Sequence, residues 1–286
     1  MLARTKSYLQ LAPLALVLLL FVALPLAVVV VVSFFRSDGF DTIPAFTLEN
    51  YQSVLTSGLT IALYLKMAKY ALLTWAAALL IGFFVAFFLV FHVRNRSVAI
   101  GLFLVCTVPF WTSNVIRMIS WMPVLAEQGV INQLLMKLGL IQVPLRALMF
   151  SDFSVVLAYV HLFTIFMIVP IFNSMSRIDR NLFEAARDAG ASRFRTLWLV
   201  VLPLTRSGIV MGSIFVVTLV MGDFYVVKVM SGGSSASVVS AMYDNVSTLL
   251  FPPAAASAVI LLLILTALIA VLTRVVDVRR ELVKAR

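Results

Sequence analysis

Few side chains in this sequence are equipped to make or break bonds. The 286 residues include one cysteine, Cys106, and two histidines, His92 and His161. One cysteine closes no intramolecular disulfide, and neither histidine has a carboxylate or thiol at ligand spacing. The residues therefore point to no metal site and no catalytic residue. Ser231-Gly232-Gly233-Ser234-Ser235 has the glycines of a phosphate loop without its lysine and reads as a turn. His161 lies in an apolar stretch, where a lone imidazole is either a hydrogen-bonded packing group or part of a transport path. The acid with the most chemical potential is Asp223, which interrupts another apolar stretch. A carboxylate there suits an ammonium cation, and Phe224 and Tyr225 beside it, with Trp121, Glu127 and Tyr159, supply aromatic faces and a second charge for alkylammonium groups. Asp223 is equally suited to pair with Arg117 or Lys228 as a structural tie.

The elements that hold these residues follow from composition. The chain is 63% hydrophobic and 12% charged, with a mean hydropathy of +1.09. Soluble domains are about 45–50% apolar and about 25% charged, so a water-soluble globule and a disordered chain are both excluded. A helix crosses the hydrocarbon core in about 20 apolar residues, because lipid offers backbone amides no partner. Six stretches qualify, at about 11–35, 63–91, 97–116, 153–176, 207–227 and 252–273. The second opens near Leu59, with Lys66 and Lys69 snorkelling to the interface. The first is longer than the roughly 7–15-residue core of a signal peptide and reads as a retained span. The fold class is all-α: a polytopic membrane protein with six transmembrane helices in a single domain over 1–286. The aromatic run Phe83-Phe84-Val85-Ala86-Phe87-Phe88 and the interfacial Trp111 and Trp121 read as lipid and helix packing.

Orientation comes from the basic residues. With the N-terminus inside, the inward segments hold fifteen of the 22 Lys and Arg, from Arg4 and Lys6 to Arg286. The seven outside are Arg36, Lys66, Lys69, Arg117, Lys137, Arg146 and Lys228, matched by seven acids, so the inner side carries the whole net charge of +10. Both termini are then cytoplasmic, and the positive charge is a topology signal and a contact for anionic membrane lipid, with no nucleic-acid partner. Of the outer segments, 47–51 reads as a short helix capped by Thr47. Val130, Ile131, Leu134, Leu135 and Leu138 form a helical apolar stripe that lies on the membrane or packs on neighbouring spans.

One inward segment, 177–206, is too polar to enter the bilayer and too patterned to be a linker. Leu182, Ala185, Ala186 and Ala189 fall on one helical face, while Arg180, Glu184 and Asp188 fall on another with Arg187 close by. Asp179 or Asn181 caps its start, the latter in a box with Glu184. Gly190 suits a left-handed C-terminal cap, Ser192 restarts a helix, and Pro203 marks a bend into the fifth span. A short helix with small residues on one face is either a docking element for a cytoplasmic partner or an interfacial helix lying on its own protein; the pattern alone leaves both open.

Glu184-Ala185-Ala186, then Gly190, then Val200-x-Leu202-Pro203 resembles the EAA signature of permease subunits in binding-protein-dependent ABC importers. Only Val200 departs from it, standing where the family has isoleucine. Pro109-Phe110-Trp111-Thr112-Ser113 with Ile116, Arg117 and Trp121, the stretch Gly129 to Leu135, and Gly222-Asp223-Phe224 with Ser231-Gly232-Gly233 are similar to the spermidine/putrescine permease subfamily. The chain departs from that subfamily at Met118-Ile119-Ser120 and at Val227-Lys228-Val229-Met230, where an acidic position is common.

The resemblance implies a type I ABC importer permease fold in the bacterial inner membrane. It also implies three partners: an ABC ATPase dimer in the cytoplasm, a second permease subunit, and a periplasmic or lipid-anchored solute-binding protein. ATP and magnesium would be bound by the ATPase, this chain holding no cofactor. Carried over by position, Glu184, Ala185, Ala186, Arg187, Asp188 and Gly190 form the coupling helix, with Leu202 and Pro203 at the bend. Asp223, Tyr225, Trp121, Glu127 and Tyr159 are the candidates for the substrate path. A polyamine is the expected cargo, with phosphonate, opine, thiosulfate or ferric ion as alternatives. A secondary transporter would be expected to show paired intramembrane acids instead.

Overall fold

A computed structural model describes residues 12–39, 41–179 and 181–275. Arg180, residue 11 at the start of the first expected span, and the terminal basic residues Arg4, Lys6, Arg279, Arg280, Lys284 and Arg286 lie outside the described residues. The chain forms two compact units, Met1–Tyr64 with Val238–Leu265 and Leu65–Ser237 with Thr266–Arg286.

In the first unit, α1 (Ala12–Val32) is apolar on every side and none of its spanning window is buried. Its turn Leu19–Ala23 is π-helical just before Pro25, which has no N–H to offer the helical ladder. A two-residue antiparallel ribbon follows, with β1 (Arg36–Ser37) pairing Arg36 to Ile43 and Ser37 to Thr42 of β2 (Thr42–Ile43). The short helix α2 (Glu49–Thr56) is tied back to the end of α1. Asn50 Nδ2 donates to the carbonyls of Ser33 at 3.0 Å and Phe35 at 2.8 Å, and Ser33 Oγ lies 2.5 Å from Tyr51 Oη. Thr47 accepts the Glu49 N–H at 3.2 Å, although the helix begins at Glu49 and the residue at the cap position is Leu48.

α3 (Gly58–His92) is a continuous helix whose last turn, Phe88–His92, is π-helical. It opens at Gly58, beside the expected opening near Leu59 and ahead of the apolar stretch counted from 63. The third expected span, 97–116, is not one run: Arg96–Trp111 (α4) ends in a tight 3₁₀ turn at Val108–Trp111, because Pro109 interrupts the ladder. The chain then bends by 94° into the run Asn114–Lys137. That run consists of α5 (Asn114–Ile119), α6 (Met122–Leu125) and α7 (Val130–Lys137). In α7 the apolar stripe is present, and the buried Asn132 fastens the helix to the loops on either side. Its Nδ2 donates to Ala126 O at 3.1 Å and Leu145 O at 3.3 Å, while Oδ1 accepts Leu145 N–H at 2.8 Å.

The core of the second unit is α8 (Asp152–Met175), which carries the longest series of buried residues. Ser151 and Ser154 form a reciprocal capping box at its start, and Ser154 Oγ also donates to Met230 O at 2.8 Å. Next in this unit come α9 (Asn181–Asp188), α10 (Arg193–Leu204), α11 (Arg206–Gly222) and α12 (Tyr225–Met230); α13 (Val238–Ser247) and α14 (Phe251–Val275) as far as Leu265 belong to the first unit. The fifth expected span, 207–227, is corrected: α11 stops at Gly222, the chain extends through Asp223, and a separate short helix begins at Tyr225. Among the described residues four helices are thus long and apolar enough to span a membrane, and the number is six when each of the two bent pairs, α4 with α5–α7 and α10 with α11, is counted as one span.

α8 and α11 form the tightest helix pair. A Cβ on Gly208 would meet Pro170 O at 2.4 Å, and one on Gly212 would meet Met167 Sδ at 2.6 Å. Met167 also faces Gly82 of α3, where a Cβ would lie 2.9 Å from its Cγ. Gly208-x-x-x-Gly212 puts two side-chain-free positions on one face, so the backbones approach within reach of dispersion forces that larger residues would block. Sequence reasoning passed over this spacing, although it was readable as a small-xxx-small pattern in an apolar run.

Candidate coupling element and cation site

The segment between α8 and α11 is built from local caps. Asp179 Oδ1 accepts the Asn181 N–H at 3.0 Å, so Asp179 rather than Asn181 closes the start of α9. At the other end Gly190 has φ +74°. Ala191 N–H reaches Ala186 O and Gly190 N–H reaches Arg187 O, both at 2.9 Å. These two bonds are the Schellman pattern, and a residue with a Cβ would be strained at that φ. Ser192 then caps α10 through Arg195 N–H at 3.3 Å.

Where α10 meets α11 the axis turns by 66°. The turn falls at Thr205, two residues beyond Pro203, where φ and ψ are −96° and 2°. Thr205 is buried, and its Oγ1 donates to Val201 O at 2.8 Å, which fixes the bend. Pro203 sits in the last turn of α10 behind a π-helical turn, Leu197–Val201, that accommodates its missing N–H.

α9 leans on its own protein through Leu182, Phe183 and the half-buried Ala186. Leu182 lines an open groove of about 610 Å³ between α8 and α11, with Val169, Asn173, Met211 and Phe215 along its walls. The Phe183 ring packs on Phe91 with centroids 4.8 Å apart. Glu184, Ala185, Arg187, Asp188, Ala189 and Gly190 are all exposed, and Ala186 is half-buried. Of the face that the sequence marks out, Ala185 and Ala189 are left uncovered, while Leu182 meets the groove and Ala186 is half-buried. Leu202 and Pro203 belong to the bend region, in the last turn of α10.

The five candidates for a cation site separate. Asp223 and Tyr159 come together: Tyr159 Oη donates to Asp223 Oδ1 at 3.2 Å, and Val226 N–H donates to the same oxygen at 2.9 Å. The carboxylate thus caps α12 and is tied to α8 through Tyr159. Tyr159 is 1% exposed and stacks on Phe163, which continues the aromatic face of α8 to Phe166. Tyr225 is exposed with its ring against Phe224. Trp121 is engaged elsewhere, its Nε1 donating to His161 Nδ1 at 2.9 Å. That bond makes His161 a hydrogen-bonded packing group in this state. Glu127 pairs with Arg146 at 3.2 Å on an exposed surface, apart from the Asp223 cluster. The Asp223–Tyr159 pair is therefore the compact core of the candidate site, with Tyr225 at its exposed edge.

Two groupings were not anticipated. Asp152, at the start of α8, gathers Lys69 Nζ at 2.9 Å, Lys66 Nζ at 3.6 Å and Tyr70 Oη at 2.5 Å, and Tyr70 Oη also lies 3.0 Å from Ser235 Oγ. The Lys66, Lys69, Tyr70 spacing of i, i+3, i+4 on one helix face was the readable signal; its partner acid is distant in sequence. Arg117 is buried with Nη2 on Asn114 Oδ1, while Nε and Nη1 find no partner among the described residues.

These helices and their uncovered loop define the class: a multi-pass permease of ABC-importer type. The fold matches, with a TM-score of 0.70 over 94% of both chains and 14% identity, a chain of a bacterial ABC transporter involved in the import of the acidic polysaccharide alginate. The chain belongs to the binding-protein-dependent transport system inner membrane component family, which matches residues 79–281. It is 34% identical over 233 residues, 80% of this chain and 83% of the relative, to the spermidine/putrescine transport system permease protein PotB of Escherichia coli (strain K12). The corresponding protein of Haemophilus influenzae is 34% identical over 218 residues, covering 75% and 74% of the two chains. The osmoprotective compounds uptake permease protein GgtC of Synechocystis sp. is 28% identical over 80% of this chain and 82% of its own. The resemblance carried by the EAA signature thus holds at the level of family.

Proposed function

We propose that this chain forms half of the pore of an ABC importer for spermidine, putrescine or a chemically similar polyamine. A second permease completes the pore, an ATPase dimer drives it from the cytoplasm, and a solute-binding protein delivers cargo outside. Both chain termini face the cytoplasm. The observation that carries the motor assignment is the exposure of Ala185, Ala189, Glu184 and Asp188 on a helix rigidly capped at both ends. Alanines let a partner's backbone approach closely, and the charges beside them set register. ATP and magnesium sit on the ATPase, and its closure moves α9, hence α10, the Thr205 bend and α11.

The cargo assignment is supported by the 34% identity to the two spermidine/putrescine permeases and by the chemistry around Asp223. A half-buried carboxylate held by a phenol and backbone amides is a fixed negative acceptor suited to an ammonium group, with the exposed Tyr225 ring at its edge. The test is spermidine uptake by the complete transporter in proteoliposomes. Uptake that requires ATP and the loaded binding protein is expected; uptake driven by an ion gradient without ATP would overturn the assignment. In that assay Asp223→Asn should reduce spermidine uptake about tenfold or more, because hydrogen bonds to charged groups contribute about 1.5–3 kcal/mol. An unchanged rate would make Asp223 solely the cap of α12 and point to a neutral cargo.

A further inference from the structure

The aromatic run at the end of α3 acquires a role once the fold is known. Phe83, Phe87 and Phe91 recur every four residues and form a ladder along one side of the helix, with centroids 6.3 Å apart for Phe83–Phe87 and 5.1 Å for Phe87–Phe91. The next ring in the series is not on α3 at all: it is Phe183 of α9, 4.8 Å from Phe91 at an interplanar angle of 56°. Phe91 lies in the π-helical turn Phe88–His92, closed by Val93 N–H on Phe88 O at 3.3 Å. One extra residue per turn locally rotates the side chains that follow, and such turns recur at functional positions.

Phe183 lies about 100° around α9 from Leu182, the residue that touches the α8–α11 groove, because successive helical residues are offset by that angle. The ring is half-buried, whereas Ala185, Ala189, Glu184 and Asp188 are exposed. At the other end of the ladder, Gly82 is pressed against Met167 of α8, which in turn abuts Gly212 of α11. A packed route therefore runs from α9 through Phe91 and the aromatic ladder to the α3–α8–α11 contact, separate from the covalent route through Thr205.

We propose that Phe183 is a positioning residue that transmits movement of α9 to α3 through Phe91, so that the coupling helix drives α3 as well as the α8–α11 pair that Leu182 meets. The proposal rests on the assignment of α9 as the ATPase-facing element. Leu182 in the α8–α11 groove and Phe183 on Phe91 give α9 two points of contact about 100° apart on its surface, so that it can act as a lever on both.

The experiment uses the complete transporter in proteoliposomes and reads solute taken up per ATP hydrolysed, together with retention of the ATPase through purification. Phe183→Ala should lower uptake per ATP at least fivefold while the ATPase stays bound, and Phe183→Tyr, which keeps the ring, should restore it. Phe91→Ala should produce the same loss, and the double variant should be no worse than either single one, as expected for two members of one contact. Phe183→Leu serves if the alanine variant does not accumulate. Unchanged uptake per ATP, additive losses, or loss of the ATPase from Phe183→Ala would overturn the proposal. Failure of the unaltered chain to retain any ATPase would instead sink the underlying assignment of α9, so the two failures are distinguishable.

Discussion

Glu184→Lys should abolish solute uptake, by tenfold or more, while the chain still accumulates in the membrane at its usual level. Glu184 is exposed in the first turn of α9 and makes no ion pair among the described residues. Its loss therefore removes at most the helix-dipole contribution of an acid at that position, about 0.3–1 kcal/mol. Folding should scarcely register it. Docking against a partner is another matter: bringing a like charge into a matched interface costs several kcal/mol and changes which surfaces can mate. Glu184→Gln removes the charge without reversing it and should retain a measurable fraction of transport. Chain abundance in membranes and uptake by the reconstituted transporter are the two measurements. Parallel loss of both would assign Glu184 a folding role instead.

Gly208→Val should be the most damaging single change to the fold itself. A Cβ there would lie 2.4 Å from Pro170 O and 2.5 Å from Ser174 Oγ, and a backbone oxygen cannot rotate away as a side chain can. Overpacking of this kind costs about 1–3 kcal/mol even where neighbours can shift, and here α8 and α11 must move apart to make room. A melting temperature several degrees lower, measured on purified chain, is expected, with reduced abundance. Gly208→Ala should already be damaging, because the clash begins at Cβ. Gly101→Ala is the control: it sits in α4 with nothing within 4 Å of the added carbon, and should be neutral or slightly stabilising as glycine gives way to a better helix former. Equal effects at the two sites would refute the close approach of α8 and α11.

The sequence carried the parts of this account that are local. A capped helix is specified within about ten residues, so Asp179, Glu184, Gly190 and Ser192 could be placed before any coordinates, leaving open only which of two residues closes the start. Span existence was equally readable, because about 20 apolar residues cannot be hidden otherwise. What failed were breaks and partners. Pro203 marked a bend and Pro109 sat inside an expected span, but where the backbone turns depends on which neighbour can absorb it, and beyond Pro203 that residue proved to be Thr205, buried and bonded to Val201. Asp223 stands out in the sequence as the acid that interrupts an apolar stretch. Its choice of Tyr159 over Arg117, and the choice of Trp121 for His161, depend on how α8 is rotated against α5 and α11. That rotation is set by Gly208, Gly212 and Met167 acting together, which no single stretch of sequence reports. The aromatic run on α3 was read as packing, and it is packing; its extension onto Phe183 joins residues 92 positions apart in the chain.

The central claim is that the exposed alanine face of α9 is held by a nucleotide-driven motor. It is tested most directly by a photocrosslinker attached to a cysteine at Ala189, in a Cys106→Ser background, within the assembled transporter. Crosslinks to the ATPase subunit whose yield changes between nucleotide-free and ATP-bound states are the predicted result. Crosslinks confined to lipid or to this chain itself, in every nucleotide state, would contradict the account.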